Sequence, residues 1–181
     1  MTNAELAVLG LVVEQPRHGY QIEQLIEQRG MRRWTEIGFS SIYFLLKKLE
    51  RGAFIEGRLE KTERGPARKV YRATPSGLET FHTAIVEVLS VPQPNPYPLM
   101  LGLANLPVLS IKESLAALSQ YSKHLKEKME ILSTVHGSNL QSHPYFVDAM
   151  FELGLMVMQA ELEWVEKFTR QIEKRSQTKE E

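Results

Sequence analysis

The sequence predicts a mainly α-helical chain in two parts, with one small β-hairpin in the first part. Three observations lead there. Phe54 to Glu60 and Arg68 to Ala73 alternate apolar and polar residues on either side of Gly65-Pro66, the pattern of two strands joined by a turn. Val91 to Pro98 has a proline at every second position, which denies backbone donors and favours an extended connector. Beyond it, apolar residues recur at steps of three and four, the period of helices packed along a seam. The expected parts are residues 1–90, a connector at 91–98, and a helical part at 99–181.

Each element has a local reason. Thr2 with Glu5 three residues on is a capping box, and it starts a helix carrying Leu6, Val8, Leu9, Leu11, Val12 and Val13. That helix is apolar over much of its surface and belongs at the centre of the first part. Gln15-Pro16 ends it. A second helix starts at His18-Gly19-Tyr20, turns Ile22, Leu25 and Ile26 inward and stops near Arg29-Gly30. Trp34 to Ile37 is expected as a short strand at the edge of the hairpin. His18 is read as a turn and backbone-contact residue.

Ser40 to Gly52 is the stretch that carries the function. Ser40 or Ser41 can cap a helix, and Gly52 stands where a left-handed residue is wanted. Ile42, Leu45, Leu46 and Leu49 form the buried stripe, and Ser41, Tyr43, Phe44, Lys47, Lys48 and Arg51 fall on or near the other face. A short helix with hydroxyls at its start and lysines on its outer face suits a major groove, where phosphates attract the lysines and hydroxyls bond phosphates or base edges. The bland reading is a small amphipathic helix with a solvated lysine face. After the hairpin, Thr74 caps a further helix with Pro75 at its first position, carrying Leu78, Phe81, Ile85, Val88 and Leu89. Helix, basic hairpin, then capped helix is the order of a winged helix-turn-helix.

Charge agrees in distribution, though not in total. The formal net charge is zero, with 22 basic and 22 acidic residues. From Arg29 to Arg72, however, twelve basic residues face five acidic ones. A local basic patch is the electrostatic footprint of a nucleic-acid reader. There is no cysteine, which excludes a disulfide framework and thiol chemistry and is compatible with a reducing cytosol. No apolar run has the length of a membrane span, and the start lacks a signal-peptide pattern. The expected location is the cytoplasm.

The residues quoted so far resemble the PadR family of bacterial transcriptional regulators. The matching pieces are Ala7-Val-Leu-Gly-Leu, His18-Gly-Tyr-Gln-Ile, the Ser41-Ile-Tyr segment through Ala53-Phe54-Ile55, and Gly65-Pro-Ala-Arg-Lys-Val-Tyr-Arg-Ala-Thr-Pro-Ser-Gly77. Together they cover the first eighty or so positions. The resemblance implies a dimeric winged-helix repressor, with tyrosine at the position of Tyr43 in the reading helix. The chain departs from the family pattern at Phe39-Ser40-Ser41 and at Phe44, so base preference does not carry over.

The helical second part starts with an apolar stretch, Leu99 to Leu109, expected as a short helix. Ser110 to Glu113 is a further capping box. Ile111, Leu115, Leu118, Leu125, Met129, Leu132 and Val135 then follow a near-heptad pattern that Gly137 closes. The last helix is expected from Pro144 to about Lys174, with Val147, Phe151, Leu155, Met158, Leu162, Val165, Phe168 and Ile172 in its seam. Such a helix pair can bury its free face against a second copy, and the twofold symmetry of most helix-turn-helix operators asks for one. The expected dimerisation residues are Leu118, Leu125, Leu132, Phe151, Leu155, Met158, Leu162 and Val165.

The expected DNA-binding residues are Tyr20, Ser40, Ser41, Tyr43, Lys47, Lys48, Arg64, Arg68 and Lys69. The five histidines are scattered without helical ligand spacing, so neither a metal nor a cofactor is expected. No nucleophile or acid–base constellation is present, so no enzyme is expected. Met158, Trp164 and Phe168 are candidates for a small apolar or aromatic effector; the simpler reading of each is a helix–helix seam. The expected function is sequence-specific DNA binding with repression as the output. The competing reading is a winged-helix protein-interaction module without sequence-specific DNA binding. A DNA reader requires Lys47, Lys48, Arg64, Arg68 and Lys69 to converge.

Overall fold

A computed structural model of the chain describes residues 1–35, 37–38, 41–62, 65–92, 98–137 and 144–177. Ser40, Arg64 and most of the proline-rich connector lie outside the described residues. The chain divides into two compact units, Met1–Asn95 and Pro96–Glu181.

In the first unit, α1 (Asn3–Glu14) starts at the Thr2 capping box, with Glu5 N–H donating to Thr2 Oγ1 at 3.2 Å and Thr2 N–H donating to Glu5 Oε2 at 3.0 Å. It is the central helix, packing on α2 (Gly19–Gln28), α3 (Ile42–Arg51), α4 (Pro75–Ser90) and β3 (Gly65–Ala73). Val8, Leu9, Leu11 and Val12 are buried there with Ile22, Ile26, Ile42, Leu46, Leu49 and Ile55. Each such side chain contributes about 1.5–3 kcal/mol by leaving water.

The C-terminal end of α1 has a charged clasp that the periodicity did not announce. Glu14 takes Arg17 at 2.9 Å and Arg29 at 2.6 Å, and the buried Arg17 also donates to the Leu11 carbonyl. One carboxylate thereby ties α1 to the end of α2. The Arg29 guanidinium, partly offset by burial and aided by Arg17, holds the Glu14 carboxyl below the usual range.

The sheet has three strands in the order β1 (Arg17–His18), β3, β2 (Ile55–Thr62), all antiparallel. β2 and β3 are the expected hairpin, with Ile55 opposite Ala73 and an irregularity between Glu60 and Thr62. The third strand differs from expectation. Trp34, Thr35 and Ile37 form no strand; a 3-10 turn at Met31–Arg33 precedes them, and Ile37 is in the core. Arg17 and His18 supply the edge instead, because the chain between α1 and α2 runs beside Val70 and Tyr71.

The exit from α3 is also a correction. Gly52 has φ −75°, and the left-handed residue is Ala53, with φ 56°. Phe54 N–H donates to the Leu49 carbonyl and Ala53 N–H to that of Glu50, each at 3.0 Å, which is a Schellman closure moved one residue on. Thr74 caps α4 as expected and donates its hydroxyl to the Ala53 carbonyl at 2.6 Å. Gly77 is buried against Phe54: a Cβ there would lie 1.9 Å from the Phe54 carbonyl oxygen.

In the second unit, α5 (Pro98–Ala104) and a 3-10 turn (Leu106–Val108) precede α6 (Ile111–Gly137) and α7 (Tyr145–Gln177). Ser110 and Glu113 form the expected box at the start of α6. The two long helices run antiparallel, since His136 meets Asp148 near one end and Lys126 meets Glu166 towards the other, each at 2.9 Å. α7 has 33 residues, and at 1.5 Å per residue it is roughly 50 Å long. No helix among the described residues is long and apolar enough to cross a membrane.

Candidate nucleic-acid interface

α3 places its apolar stripe, Ile42, Leu45, Leu46 and Leu49, in the core and so turns Tyr43, Phe44, Lys47 and Lys48 outward. Ser41 occupies the N-cap position without capping: its hydroxyl donates back to the Gly38 carbonyl at 2.8 Å. The reason is backbone geometry, since Ser41 is already in a helical conformation and its side chain faces the preceding turn.

Tyr20, Tyr43, Arg68 and Lys69 converge. With His18, Gly19 and Tyr71 they line one open groove between the start of α2, the start of α3 and strand β3. Tyr20 and Tyr43 are 57% and 55% exposed, so both hydroxyls are within reach of an incoming phosphate. The Tyr43 ring packs over Gly19, where a Cβ would sit 2.7 Å from its Cε1. A residue with no side chain at the first position of α2 therefore sets where Tyr43 lies.

Of the five expected cations Arg64 lies outside the described residues, and the other four do not all meet in this groove. Arg68 and Lys69 line the groove. Lys47 is exposed and makes no ion pair among the described residues. Lys48 turns to α1 and pairs with Glu5, which is only 6% exposed. Burial works to raise the Glu5 carboxyl; the Lys48 ammonium and the Thr2 N–H outweigh it and hold it below the usual range. Lys69 is also partnered: its Nζ lies 2.7 Å from Glu50 Oε2, while the other Glu50 oxygen accepts from Gly57 N–H at 3.1 Å. That hydrogen bond to Glu50 raises the Lys69 ammonium above its ordinary value. Burial similarly pushes the Tyr71 hydroxyl up.

Four residues of this face were not among the expected ones: His18, Gly19, Glu50 and Tyr71. His18 had a readable signal. It caps α2 in a box with Gln21, its Nδ1 accepting from Gln21 N–H at 3.3 Å and its own N–H donating to Gln21 Oε1 at 3.1 Å. The His-x-x-Gln spacing is that of a capping box with imidazole in place of a hydroxyl. Nothing in the spacing of Glu50 and Lys69 announces their contact, because it depends on how β3 crosses α3.

The helical unit distributes its expected residues differently. Leu118, Leu125, Leu162 and Val165 are buried between α6 and α7 of one chain, so they hold the hairpin rather than face a second copy. Leu132, Phe151, Leu155 and Met158 are half-buried, and Leu153, Met156 and Val157 are among the exposed apolar residues of α7. Of the candidate effector residues, Trp164 and Phe168 stack with centroids 5.1 Å apart. Met158 lies about 120° around the same helix from Trp164, so one α7 does not bring all three together.

Residues 8–83 match the model of the transcriptional regulator PadR-like family. No curated protein matches the chain in sequence. Among solved structures, Bacillus subtilis PadR in complex with operator DNA is 24% identical, with 93% of this chain and 98% of that one covered and a TM-score of 0.74. The same protein in complex with p-coumaric acid is 22% identical over the same shares, with a TM-score of 0.75. The PadR-like regulator BC1756 from Bacillus cereus is 16% identical over 95% of this chain and 99% of that one, with a TM-score of 0.68. The chain has their fold in both of its units.

Proposed function

We propose that this chain, whose residues 8–83 belong to the PadR-like family of transcriptional regulators, is a sequence-specific DNA-binding repressor that acts as a dimer. The observation that carries the reading is the groove in which Tyr20, Tyr43, Arg68 and Lys69 meet beside the start of α3. Hydroxyls and cations around the end of a short exposed helix are the donor set for backbone phosphates flanking a major groove.

In this reading residues 1–90 read DNA, 91–98 connect, and 99–181 join two copies. Each dimer sets two α3 helices in successive major grooves, with Lys47 and Ser41 near the duplex; Ser40 and Arg64, which lie outside the described residues, belong to the same proposed contact set. Lys48 contributes weakly because Glu5 holds it. The Bacillus subtilis complexes, one with operator DNA and one with p-coumaric acid, support two ligand classes, a duplex and a small aromatic effector; in this reading the effector shifts the balance between two dimer geometries. Repression places the protein in the cytoplasm, on the nucleoid. No side chain is assigned a catalytic role.

The carboxylates on Lys48 and Lys69 favour one second reading, a winged helix that binds an acidic protein segment. Footprinting on the DNA upstream of the protein's own gene separates the two. Protection of a discrete, twofold-related site is the expected result. Binding that is weak and equal on all duplexes would overturn the repressor reading.

A further inference from the structure

The imidazole of His18 stands between two groups that can only donate. Gln21 N–H points at Nδ1, 3.3 Å away, and the Arg68 guanidinium nitrogen Nη1 lies 3.3 Å from Nε2. A neutral imidazole has one acceptor nitrogen and one N–H. Whichever tautomer forms, one of the two contacts sets donor against donor. The cap favours the tautomer with its proton on Nε2, because the Gln21 side chain closes the same box. Nε2–H then faces Arg68 with nothing between them to accept.

An anion resolves this arrangement. An oxygen placed over the groove accepts from Nε2–H and from Arg68 at once, and leaves Nδ1 to cap α2. We propose that His18 is a further DNA-contacting residue, which with Arg68 takes one backbone phosphate and makes DNA binding tighten as pH falls. The proposal rests on the reading of this face as the DNA interface.

The sign follows from linkage. In the free protein burial, and then the Arg68 charge, hold the His18 imidazole below its ordinary value. A phosphate at Nε2 favours the charged ring, so the value rises on binding. The complex then holds more protons than the free components, and affinity grows as pH falls through the imidazole range. The cap lost on protonating Nδ1 is lost in both states and cancels. The other titratable and charged groups face the ring from each neighbouring element. They are Tyr20 on α2, Tyr43 on α3, and Arg68, Lys69 and Tyr71 on β3, with Glu50 paired to Lys69 and Arg17 turned inward to Glu14.

His18→Asn is the discriminating variant, since asparagine caps a helix well and does not titrate. The full-length chain and the variant are compared by fluorescence anisotropy on one labelled duplex of about 30 base pairs at constant low ionic strength, over the imidazole range. The expected result is that the parent gains about three- to tenfold in affinity, for each His18 that takes up a proton, relative to the variant. The variant melts with the parent. NMR titration of the His18 ring, with His82 and His124 as internal references, should show its midpoint moving up when the duplex is added. A parent and variant with the same pH profile, or a His18 midpoint unmoved by bound duplex, overturns the proposal. A parent that binds no duplex at any pH overturns the DNA reading itself, and the proposal with it.

Discussion

Lys48, on the outward face of α3, is ion-paired to Glu5, a carboxylate buried at the start of α1. The most obvious cation of α3 is therefore engaged by a carboxylate of its own fold. Lys48→Ala should weaken DNA binding less than Lys47→Ala, measured on the same duplex. It should lower stability by about 0.5–1 kcal/mol, because the lysine end of the pair is half in water and screened. The Glu5 carboxyl lies below its ordinary range, so its contribution is complete above that range and fades as pH falls through the depressed folded value. The melting difference between parent and Lys48→Ala should shrink to nothing in acid.

Tyr43 has its ring against Gly19 and is about half exposed. Tyr43→Phe should cost about ten- to a hundredfold in operator affinity for each lost charged hydrogen bond, with melting unchanged. Gly19→Ala pushes the Tyr43 ring aside. It should weaken DNA binding with only a small change in melting, since an exposed ring can move. If Gly19→Ala binds as the parent does, Tyr43 is not the contact.

Glu50 holds Lys69 with one oxygen and Gly57 N–H with the other. Glu50→Gln keeps the amide acceptor and removes the charge that competes with phosphate. Non-specific affinity should rise at low salt. The dependence of log K on log salt should steepen by about one for each Lys69 released. An unchanged slope would place Lys69 outside the phosphate-binding set.

Two backbone positions around Phe54 should answer to substitution in opposite directions. Ala53 takes the left-handed conformation, and Ala53→Gly should raise stability by about 0.5–1 kcal/mol. Gly77→Ala would drive a methyl into the Phe54 carbonyl, which cannot yield without moving the junction. A loss of about 2–4 kcal/mol is expected, larger than ordinary overpacking because the obstacle is backbone. Thermal and urea melts of both variants check the pair.

Assembly should depend on the exposed side of α7. Leu153 and Val157 are one turn apart and 64% and 45% exposed. The intact chain should sediment as a dimer at micromolar concentration. The double variant Leu153→Glu, Val157→Glu should sediment as a folded monomer with unchanged helicity. Leu162→Glu should instead disrupt the hairpin itself, since that residue packs within one chain.

The sequence by itself determined most of the elements. Caps at Thr2, Thr74 and Ser110, the alternation of the hairpin and the three–four spacing of the long helices are local signals, written within a few residues of the structure they direct. The identity of Tyr43 and the convergence of Tyr20, Arg68 and Lys69 could also be read, because a winged helix-turn-helix brings those segments to one face. What only the tertiary structure decided are relations across the chain. Glu5 neutralises Lys48 from 43 positions away, Glu50 holds Lys69, Arg17 and His18 replace the expected edge strand, and Leu118 and Val165 are both buried within one hairpin. Periodicity tells which side of a helix is buried but not what buries it, and charge counting tells how many cations a segment has but not which carboxylate reaches them. Those pairings are set by how the helices and strands cross, and crossing has no signature in the residues on either side alone.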